Sequence, residues 1–253
     1  MATNRAGTAQ ALNAYVLHSY DWSETSLIVE LFTRERGRVA VAAKGAKRPT
    51  SQLRPVLLPF QPILVQLGRT AADEAADIHT LRSAEWVGGA APLAGAALFP
   101  GFYINELLLK LLARQDPHTA LFDAYADTLS ALADEGPALR AFELVLLREL
   151  GVLPELALET LTLQPLQPGR GYTLDAEAGL ALDANGLQGD IWVALEAALR
   201  HGHPVALRAA CAPVSGALRV SLRGLLHYHL GHATLRTRQV MLGLQRLAES
   251  PKP

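Results

Sequence analysis

Hydrophobic and polar residues alternate in short runs over the first third of the chain, which is the pattern of half-buried β-strands. In residues 26–32, for example, Leu27, Val29 and Leu31 fall on one face of the strand. The predicted strands cover residues 14–20, 26–32, 38–44, 60–68 and 77–85. Five short strands with no long helix among them predict a small closed or partly closed barrel.

After about residue 90 the hydrophobic positions recur every three or four residues, which predicts helices. Residues 99–117 are apolar on nearly every side, as in a helix at the centre of a bundle. The predicted helices cover residues 99–117, 118–136, 137–151, 190–201, 213–231 and 234–248. Residues 152–190 are instead rich in Gly, Pro and Asp, and predict turns with one hairpin.

The two patterns together predict an α+β multidomain fold, in which a five-stranded barrel precedes a mainly helical domain. The small turn-rich region would be an insertion between helices. The predicted domains are residues 1–85 for the barrel, 86–151 for the helical domain, 152–190 for the small subdomain and 191–253 for C-terminal helices that pack on the helical domain.

The composition is that of a globular protein, with 50% hydrophobic and 19% charged residues among 253. Cys211 is the single cysteine, so the chain has neither an intramolecular disulfide nor a Cys-x-x-Cys zinc site. No uninterrupted apolar run reaches the roughly 18–20 residues of a membrane span, and the N-terminus lacks the layout of a signal peptide. We therefore expect a cytoplasmic protein with no membrane partner.

The charges are nearly balanced, with 23 Lys and Arg against 24 Asp and Glu, but basic residues are concentrated in one place. A single acid, Glu35, lies among seven cations there. These cations are Arg34, Arg36, Arg38, Lys44, Lys47, Arg48 and Arg54. A polyanion responds to such a local field rather than to the net charge, because screening limits its reach to about 8–10 Å.

The strand at 38–44 and the segment after it favour a nucleic-acid ligand. Small alanines between Arg38 and Lys44 would leave the strand's backbone open to an extended ligand. The following segment contains Gly, Pro, Ser and Thr and predicts a mobile loop. A basic loop beside a small barrel is typical of proteins that bind single-stranded nucleic acid. The alternative is a charged hairpin that serves solubility alone.

The chain lacks the sequence motifs of common enzymes. His18, Asp21 and Ser23 are close in sequence, but a Ser–His–Asp site is defined by spatial roles. There is no Gly-x-Ser-x-Gly motif and no phosphate-binding loop that ends in Gly-Lys-Ser or Gly-Lys-Thr. We therefore predict no catalytic residues and no cofactor site.

Two stretches resemble metal sites by composition only. Asp73, Glu74 and Asp77 fall in a segment that predicts an exposed connection between strands. His227 and His229 would point about 200° apart on a helix, which does not suit a shared ion. We predict no metal site at either stretch.

Several arginines favour a second kind of ligand, the end of a peptide. A guanidinium beside an apolar groove can hold a carboxylate while the groove holds a hydrophobic side chain. The candidates are Arg140 with its neighbours Leu139 and Phe142, and Arg219 with Arg223 one helical turn apart; Arg236 and Arg238 are a further basic pair. Taken singly, each arginine is also consistent with an ordinary surface residue.

Several ordered blocks of the sequence resemble the RecO family of DNA repair proteins, and most closely its proteobacterial members. The blocks are YVLHSYDWSETSLIVELFTRERGRVAVAAKGAKR, LRPVLLPFQPILVQLGR, LRSAEW, GFYINELLLKLL and ALRAFELVLLRELG. The resemblance covers residues 12–151, weakens through 152–215 and returns at YHLGHATLRTRQV.

The resemblance implies an N-terminal OB-fold barrel followed by a helical domain. It also implies binding of single- and double-stranded DNA, annealing of complementary strands, and assistance in loading RecA onto DNA coated by single-stranded DNA-binding protein. The implied partners are RecR and the acidic, Phe-ending C-terminal tail of the single-stranded DNA-binding protein. Annealing in this family needs no nucleotide cofactor.

Roles for individual residues are implied as well. The hairpin and loop that face DNA would carry Arg34, Arg36, Arg38, Lys44, Lys47 and Arg48, and we expect Arg54 of the same basic stretch to contact DNA as well. The partner's tail would meet Arg140, with Leu139 and Phe142 in the groove. A weaker second basic set comprises Arg219, Arg223, Arg236 and Arg238, of which we assign Arg219 and Arg223 to the partner's tail and Arg236 and Arg238 to DNA.

One departure from the family pattern concerns zinc. Many members carry a four-cysteine zinc site after the helix that corresponds to 137–151, whereas residues 152–190 contain no cysteine. We therefore expect the small subdomain to rest on apolar packing instead. Two rival functions stay open at this point, an adaptor that binds only proteins and a nuclease.

Overall fold

A computed structural model describes residues 11–68, 77–89, 92–231 and 234–240. The chain divides into two compact units. The first comprises Met1–Leu93 together with Leu112–Phe122, and the second comprises Ala94–Leu111 together with Asp123–Pro253.

The first unit contains a closed five-stranded barrel, which confirms the predicted fold class. Its strands are β1 (Ala11–Asp21), β2 (Leu27–Thr33), β3 (Gly37–Ala43), β4 (Ile63–Leu67) and β5 (Ile78–Trp86). They pair in the order β1-β2-β3-β5-β4, and β4 returns to pair with β1. The β3–β5 pair is parallel, while β1–β2, β2–β3 and β4–β5 are antiparallel. This connectivity matches the five-stranded OB-fold.

Alternating side chains of every strand fill the barrel interior, as the sequence pattern requires. Val16, Val29, Val41 and Val65 are each fully buried in one apolar cluster. Leu31 lies in the same cluster, so the predicted inward face of β2 is confirmed. The outward face of β2 is consequently the one that carries Glu30 and Phe32.

That outward face is covered by a segment from later in the chain, Leu112–Phe122. The ring of Phe122 lies 5.4 Å from Phe32 and 5.4 Å from Tyr15, centroid to centroid. Arg114 forms an ion pair with Glu30, whose side chain is only 5% exposed. The backbone N–H of Gln115 donates to the carbonyl of Arg38 at 2.9 Å.

Gly37 marks the closest approach of this segment to the barrel. Its φ of +64° lies in the left-handed region that favours glycine. A Cβ atom there would stand 1.8 Å from the carbonyl oxygen of Asp116. The tight β2–β3 turn and the crossing segment therefore both require glycine at this position.

The second unit is mainly helical. Its helices, with α2 shared between the units, are α1 (Leu98–Leu111), α2 (Thr119–Ala131), α3 (Glu135–Glu149), α4 (Gly189–His201), α5 (Pro204–Cys211) and α6 (Ser215–His229). The first helix ends at Leu111 and not at the predicted residue 117, because residues 112–118 belong to the unit that contains the barrel. Helix α5 was missed because its eight residues are too few for a clear period. Residues 236–240 are helical, and 241–248 of the last predicted helix lie outside the described residues.

The helices α5 and α6 are joined by a 3-10 turn, so that Pro204–His229 form one helical stretch. By length and composition only, this stretch is apolar enough to cross a membrane. The sequence predicted no membrane span because no apolar run is uninterrupted over roughly 18–20 residues. This stretch does not contradict that criterion, since Arg208, Arg219 and Arg223 interrupt it. Core helices of globular proteins satisfy the same criterion, so the feature is weak evidence for a membrane.

Residues 152–190 form more structure than the single predicted hairpin. A three-stranded sheet has the order β7-β6-β8, with β6 (Gly171–Asp175), β7 (Gly179–Leu182) and β8 (Leu187–Gln188). The buried indole of Trp192 donates from Nε1 to the carbonyl of Tyr172 at 3.0 Å. This bond ties the sheet to α4.

An ionic cluster also fixes this subdomain, so the expectation that apolar packing replaces zinc was incomplete. The carboxylate of Glu196, 3% exposed, accepts hydrogen bonds from Arg148 at 2.6 and 3.1 Å. It also accepts from Arg200 at 2.9 Å and from the backbone N–H of Leu156 at 2.9 Å. Burial by itself raises the pKa of Glu196, but the bonds from Arg148 and Leu156 lower it overall.

We expect Glu196→Ala to lower the free energy of unfolding by about 2–3 kcal/mol, since several hydrogen bonds to a buried charge are lost at once. The matched control is Arg200→Ala, which removes a side chain that is 65% exposed and should cost no more than about 1 kcal/mol. Urea unfolding of both variants measures the difference. Equal losses would contradict a central role for Glu196.

Candidate nucleic-acid interface and peptide-binding cavity

The seven cations predicted to contact DNA fall into two groups at opposite ends of β3. The turn group, at the β2–β3 turn, comprises Arg34, Arg36 and Arg38. The loop group, in and after the end of β3, comprises Lys44, Lys47, Arg48 and Arg54. Because β3 has seven residues, its two ends are separated by roughly 20 Å along the strand.

In the turn group, the acid Glu35 is occupied within the barrel. The carboxylate of Glu35 accepts hydrogen bonds from the side-chain amide of Asn13 at 2.8 Å and from its backbone N–H at 3.1 Å. The hydroxyl of Thr33 accepts from the backbone N–H of Arg36 and so shapes the turn. Arg34 is exposed, whereas Arg36 and Arg38 are half-buried.

In the loop group, Lys44, Arg48 and Arg54 are exposed and Lys47 is half-buried. The Nζ atom of Lys47 lies 3.1 Å from a carboxylate oxygen of Asp21. The loop that we expected to be mobile is anchored to the barrel core through buried Ala46 and Leu57. Its cations are therefore presented from a tethered loop.

The alanines of β3 do not form the open floor that the sequence suggested. Ala40 is fully buried and Ala42 is 6% exposed. On the same outward face, Ala40 pairs with Glu30, whose carboxylate is held by Arg114. An extended ligand therefore has no access to the middle of this strand, and the two ends carry the exposed cations.

The second unit contains a cavity of about 290 Å³ that combines an apolar wall with four arginines. We call it the arginine cavity. Its lining residues are Pro100, Tyr103, Glu135, Leu139, Arg140, Glu143, Arg219, Arg223, Leu226, His227, Leu230, Leu235, Thr237 and Arg238. The cavity thus brings together Arg140, Leu139, Arg219 and Arg223, which were predicted to bind a peptide end.

A buried cluster of three polar residues lies at the base of the arginine cavity. One oxygen of Glu143 accepts hydrogen bonds from Arg140 at 2.7 Å and from the hydroxyl of Tyr103 at 2.7 Å. The side chains of Arg140 and Glu143 are 6% and 2% exposed. Both residues come from the same face of α3, because they are three positions apart.

Burial dominates the protonation of this cluster. It raises the pKa of Glu143 to about 7, although Arg140 and the hydrogen bond from Tyr103 act in the opposite direction. Burial and the nearby Glu143 raise the pKa of Tyr103 well above its usual value. Near neutral pH the Glu143 carboxyl is therefore partly protonated, which weakens its hold on Arg140.

A carboxylate of α1 binds the backbone of the segment that carries Arg238. Glu106 accepts hydrogen bonds from the backbone N–H groups of Arg236 at 2.8 Å and Thr237 at 3.0 Å. This interaction caps the start of the helical segment 236–240 and places Arg238 on the cavity wall. Arg238, predicted to bind DNA, thus lines the cavity with the peptide-binding candidates, whereas the exposed Arg236 does not.

Phe142 does not line the arginine cavity. It is 1% exposed and packs edge-on against Tyr125, with 6.3 Å between ring centroids. The sequence reasoning also missed Tyr103 and Glu143 as members of the site. The three-residue spacing of Arg140 and Glu143 is the signal in the sequence that places Glu143 beside Arg140.

The candidates considered for catalysis are engaged in other interactions. The ring of His18 packs on Tyr20, Asp21 contacts Lys47, and the hydroxyl of Ser23 accepts from the backbone of Ser26. Within the described ranges, no group of three His, Cys, Asp or Glu side chains is arranged to hold a metal ion. Asp73 and Glu74 lie outside those ranges. Burial raises the pKa of the Cys211 thiol to about 12, which suits a packing role.

The sequence was compared with known proteins. Residues 10–90 match the profile of the family described as "Recombination protein O N terminal", and residues 94–198 match that of "Recombination protein O C terminal". The chain is 54% identical over 245 residues to the DNA repair protein RecO of Verminephrobacter eiseniae, covering 92% of this chain and 96% of that protein. It is 51% identical over 257 residues to the DNA repair protein RecO of a Polaromonas species, covering 98% and 100%.

The chain belongs to the RecO family. A third relative, the DNA repair protein RecO of Variovorax paradoxus, is 52% identical over 251 residues. These matches confirm the resemblance stated from the sequence blocks, and they support a role in DNA repair and recombination. The RecO barrel corresponds to the first matched region, and the arginine cavity combines residues inside the second region with residues beyond it.

The raised pKa of Glu143 makes stability depend on pH in a defined direction. Between about pH 4.5 and 7 the folded protein holds a proton on Glu143 that the unfolded chain has lost, so stability falls as pH rises through this window. Across this window we expect titration of Glu143 to lower the free energy of unfolding of wild type by about 3 kcal/mol. This decrease should be absent in Glu143→Gln.

Urea unfolding at pH 5 and pH 8 tests this expectation, because the wild-type–variant difference isolates Glu143 from other titrating groups. The stability of Glu143→Gln relative to wild type should increase with pH. A difference that stays constant between pH 5 and pH 8 would show that Glu143 titrates normally.

Proposed function

We propose that this RecO-family protein is a recombination mediator. It binds single- and double-stranded DNA without sequence specificity, anneals complementary strands and assists the loading of RecA onto DNA coated by single-stranded DNA-binding protein. It performs no catalysis of its own, needs no cofactor and acts in the cytoplasm on nucleoid DNA. RecR is its direct partner, and RecA nucleoprotein is reached indirectly.

The observation that carries the DNA-binding part is the exposure of cations at both ends of β3. Arg34 at one end and Lys44, Arg48 and Arg54 at the other are exposed on a barrel whose nearby acid Glu35 is occupied. Neutralised phosphates release condensed counterions, which drives association in a salt-dependent way. Contacts of this kind are made to the backbone of DNA and read no bases.

Annealing follows from the same contacts. Two strands held against cations lose most of their mutual repulsion, and base pairing then supplies the driving force. Because the attraction is local and the whole chain has a net charge of −1, the product duplex is not retained by a general positive field.

We assign the arginine cavity to the acidic, Phe-ending tail of the single-stranded DNA-binding protein. The exposed Arg219, Arg223 and Arg238 supply charges for the acidic residues, and Leu139 with Leu226 forms an apolar wall for the terminal ring. Arg140 is suited to the terminal carboxylate, since partial protonation of Glu143 frees its guanidinium. The cavity would equally serve an adaptor that binds only proteins, so DNA binding is the discriminating measurement.

We expect the double variant Lys44→Glu/Arg48→Glu to bind labelled single-stranded DNA at least tenfold more weakly than wild type. Loss of two phosphate contacts should lower the log–log slope of affinity against salt by about 1.4. Fluorescence anisotropy at two or more salt concentrations measures both quantities. Failure of wild type to bind DNA at low salt would favour the protein-only adaptor, and magnesium-dependent shortening of the probe would favour a nuclease.

We expect Arg219→Glu/Arg223→Glu to abolish binding of a labelled acidic peptide that ends in Phe, while DNA affinity changes less than twofold. The peptide loses two cations and meets two added acids in the arginine cavity. This variant and Lys44→Glu/Arg48→Glu carry the same change in net charge, so each is the control for the other. Equal damage to both ligands by both variants would contradict two separate sites.

A further inference from the structure

Two large aromatic side chains are exposed at the β1–β2 end of the barrel. Trp22 is 57% exposed and Tyr20 is 48% exposed. Tyr20 pairs with Ile28 on the outward face of the sheet, and Trp22 is the first residue of the turn that follows β1. Single exposed hydrophobic residues are common on protein surfaces, so exposure alone does not indicate a ligand.

The turn that presents Trp22 is fixed by bonds that do not involve its ring. The backbone N–H groups of Trp22 and Ser23 both donate to the carbonyl of Ser26 at 3.3 Å. The backbone N–H of Ser26 donates in return to the hydroxyl of Ser23 at 3.2 Å. The indole is thus carried on a defined turn whose closure does not depend on it.

The same turn is tethered to the loop group of cations. Lys47 donates from Nζ to the carbonyl of Ser23 at 3.2 Å, and its backbone N–H donates to the carbonyl of Thr25 at 3.0 Å. Lys47 also offsets the charge of Asp21, which leaves Glu24 as the acid in the turn itself. The aromatic rings and the exposed Lys44 and Arg48 therefore occupy one end of the barrel.

We propose that Trp22, with Tyr20 beside it, is a base-stacking platform that gives this protein a preference for single-stranded over double-stranded DNA. The inference rests on the proposed DNA-binding function and deepens it. Cations hold phosphates of either form of DNA, but an aromatic face is accessible only to bases that are not already stacked in a duplex. Exposed rings beside cations are the combination that binds single strands without reading their sequence.

The test compares full-length wild type, Trp22→Ala and Trp86→Ala by fluorescence anisotropy on three probes of equal length. The probes are a labelled oligothymidylate, a duplex, and an oligonucleotide with abasic sites, which keeps the phosphates and lacks the bases. Trp86 is a matched control, because it is 54% exposed and pairs with Ile63 towards the opposite end of the barrel.

Trp22→Ala should weaken oligothymidylate binding about tenfold and leave the duplex and abasic affinities unchanged. Trp22→Phe should retain most of the affinity, and the urea midpoint of Trp22→Ala should match wild type. The platform is refuted if Trp22→Ala affects all three probes equally, if it affects none of them, or if Trp86→Ala shows the selective loss instead. If Trp22→Ala weakens binding to none of the probes, the exposed rings point to a protein partner at this surface. If wild type binds no DNA, the proposed function itself is refuted.

Discussion

The constraint on which the rest of this structure depends is the near balance of its charges. With 23 basic and 24 acidic residues, the protein can present positive surface only where its acids are occupied or held away. In the barrel, Glu35 is bound by Asn13 and Glu30 by Arg114. In the helical unit two acids are engaged as well, since Glu106 caps a helix and Glu196 joins two arginines to a backbone amide. Exposed arginines and lysines are thereby grouped at the ends of β3 and around the arginine cavity.

The covering of the barrel's outward face decides where a polyanion can bind. Phe122 and Arg114 occupy the outside of β1 and β2, and Gly37 admits the crossing backbone. A ligand that lay along the middle of the β2–β3 face would have to displace this packing, which buries two aromatic contacts and a charge pair. The exposed Arg34, Lys44 and Arg48 can be reached without displacing this packing, and the exposed indole of Trp22 lies at the same end of the barrel as Lys44 and Arg48. Burial, and not only charge, thus directs the proposed DNA contacts to the strand ends.

The barrel and most helices follow from the sequence because their signals are local. Alternation in residues 26–32 specifies the faces of β2 directly, and the period of residues 137–151 specifies the helix α3, although residues 137–144 are buried on every side and not along one stripe. The segment Leu112–Phe122 could not be assigned this way, because its local pattern resembles the end of a helix. The contact that fixes it joins Arg114 to Glu30, which is 84 positions away in the sequence. Phe142 illustrates the same limit at the site: proximity to Arg140 in sequence suggested a groove residue, whereas the helix turns its ring into the core. Arg238 lines the cavity next to residues 236 and 237, whose backbone N–H groups bind Glu106, and no short-range pattern reports this contact.

The arginine cavity shows how a buried acid can assist the binding of another acid. A permanently ionised Glu143 would hold Arg140 and repel an incoming carboxylate, whereas a neutral residue there would leave Arg140 buried without a counter-charge. Burial raises the pKa of Glu143 to about 7, which lies between these extremes. A ligand carboxylate that approaches Arg140 raises that pKa further, so the proton taken up by Glu143 accompanies binding. In the proposed assignment, the exposed Arg219, Arg223 and Arg238 would attract an acidic segment to the rim, and Arg140 would exchange its internal partner for the terminal carboxylate.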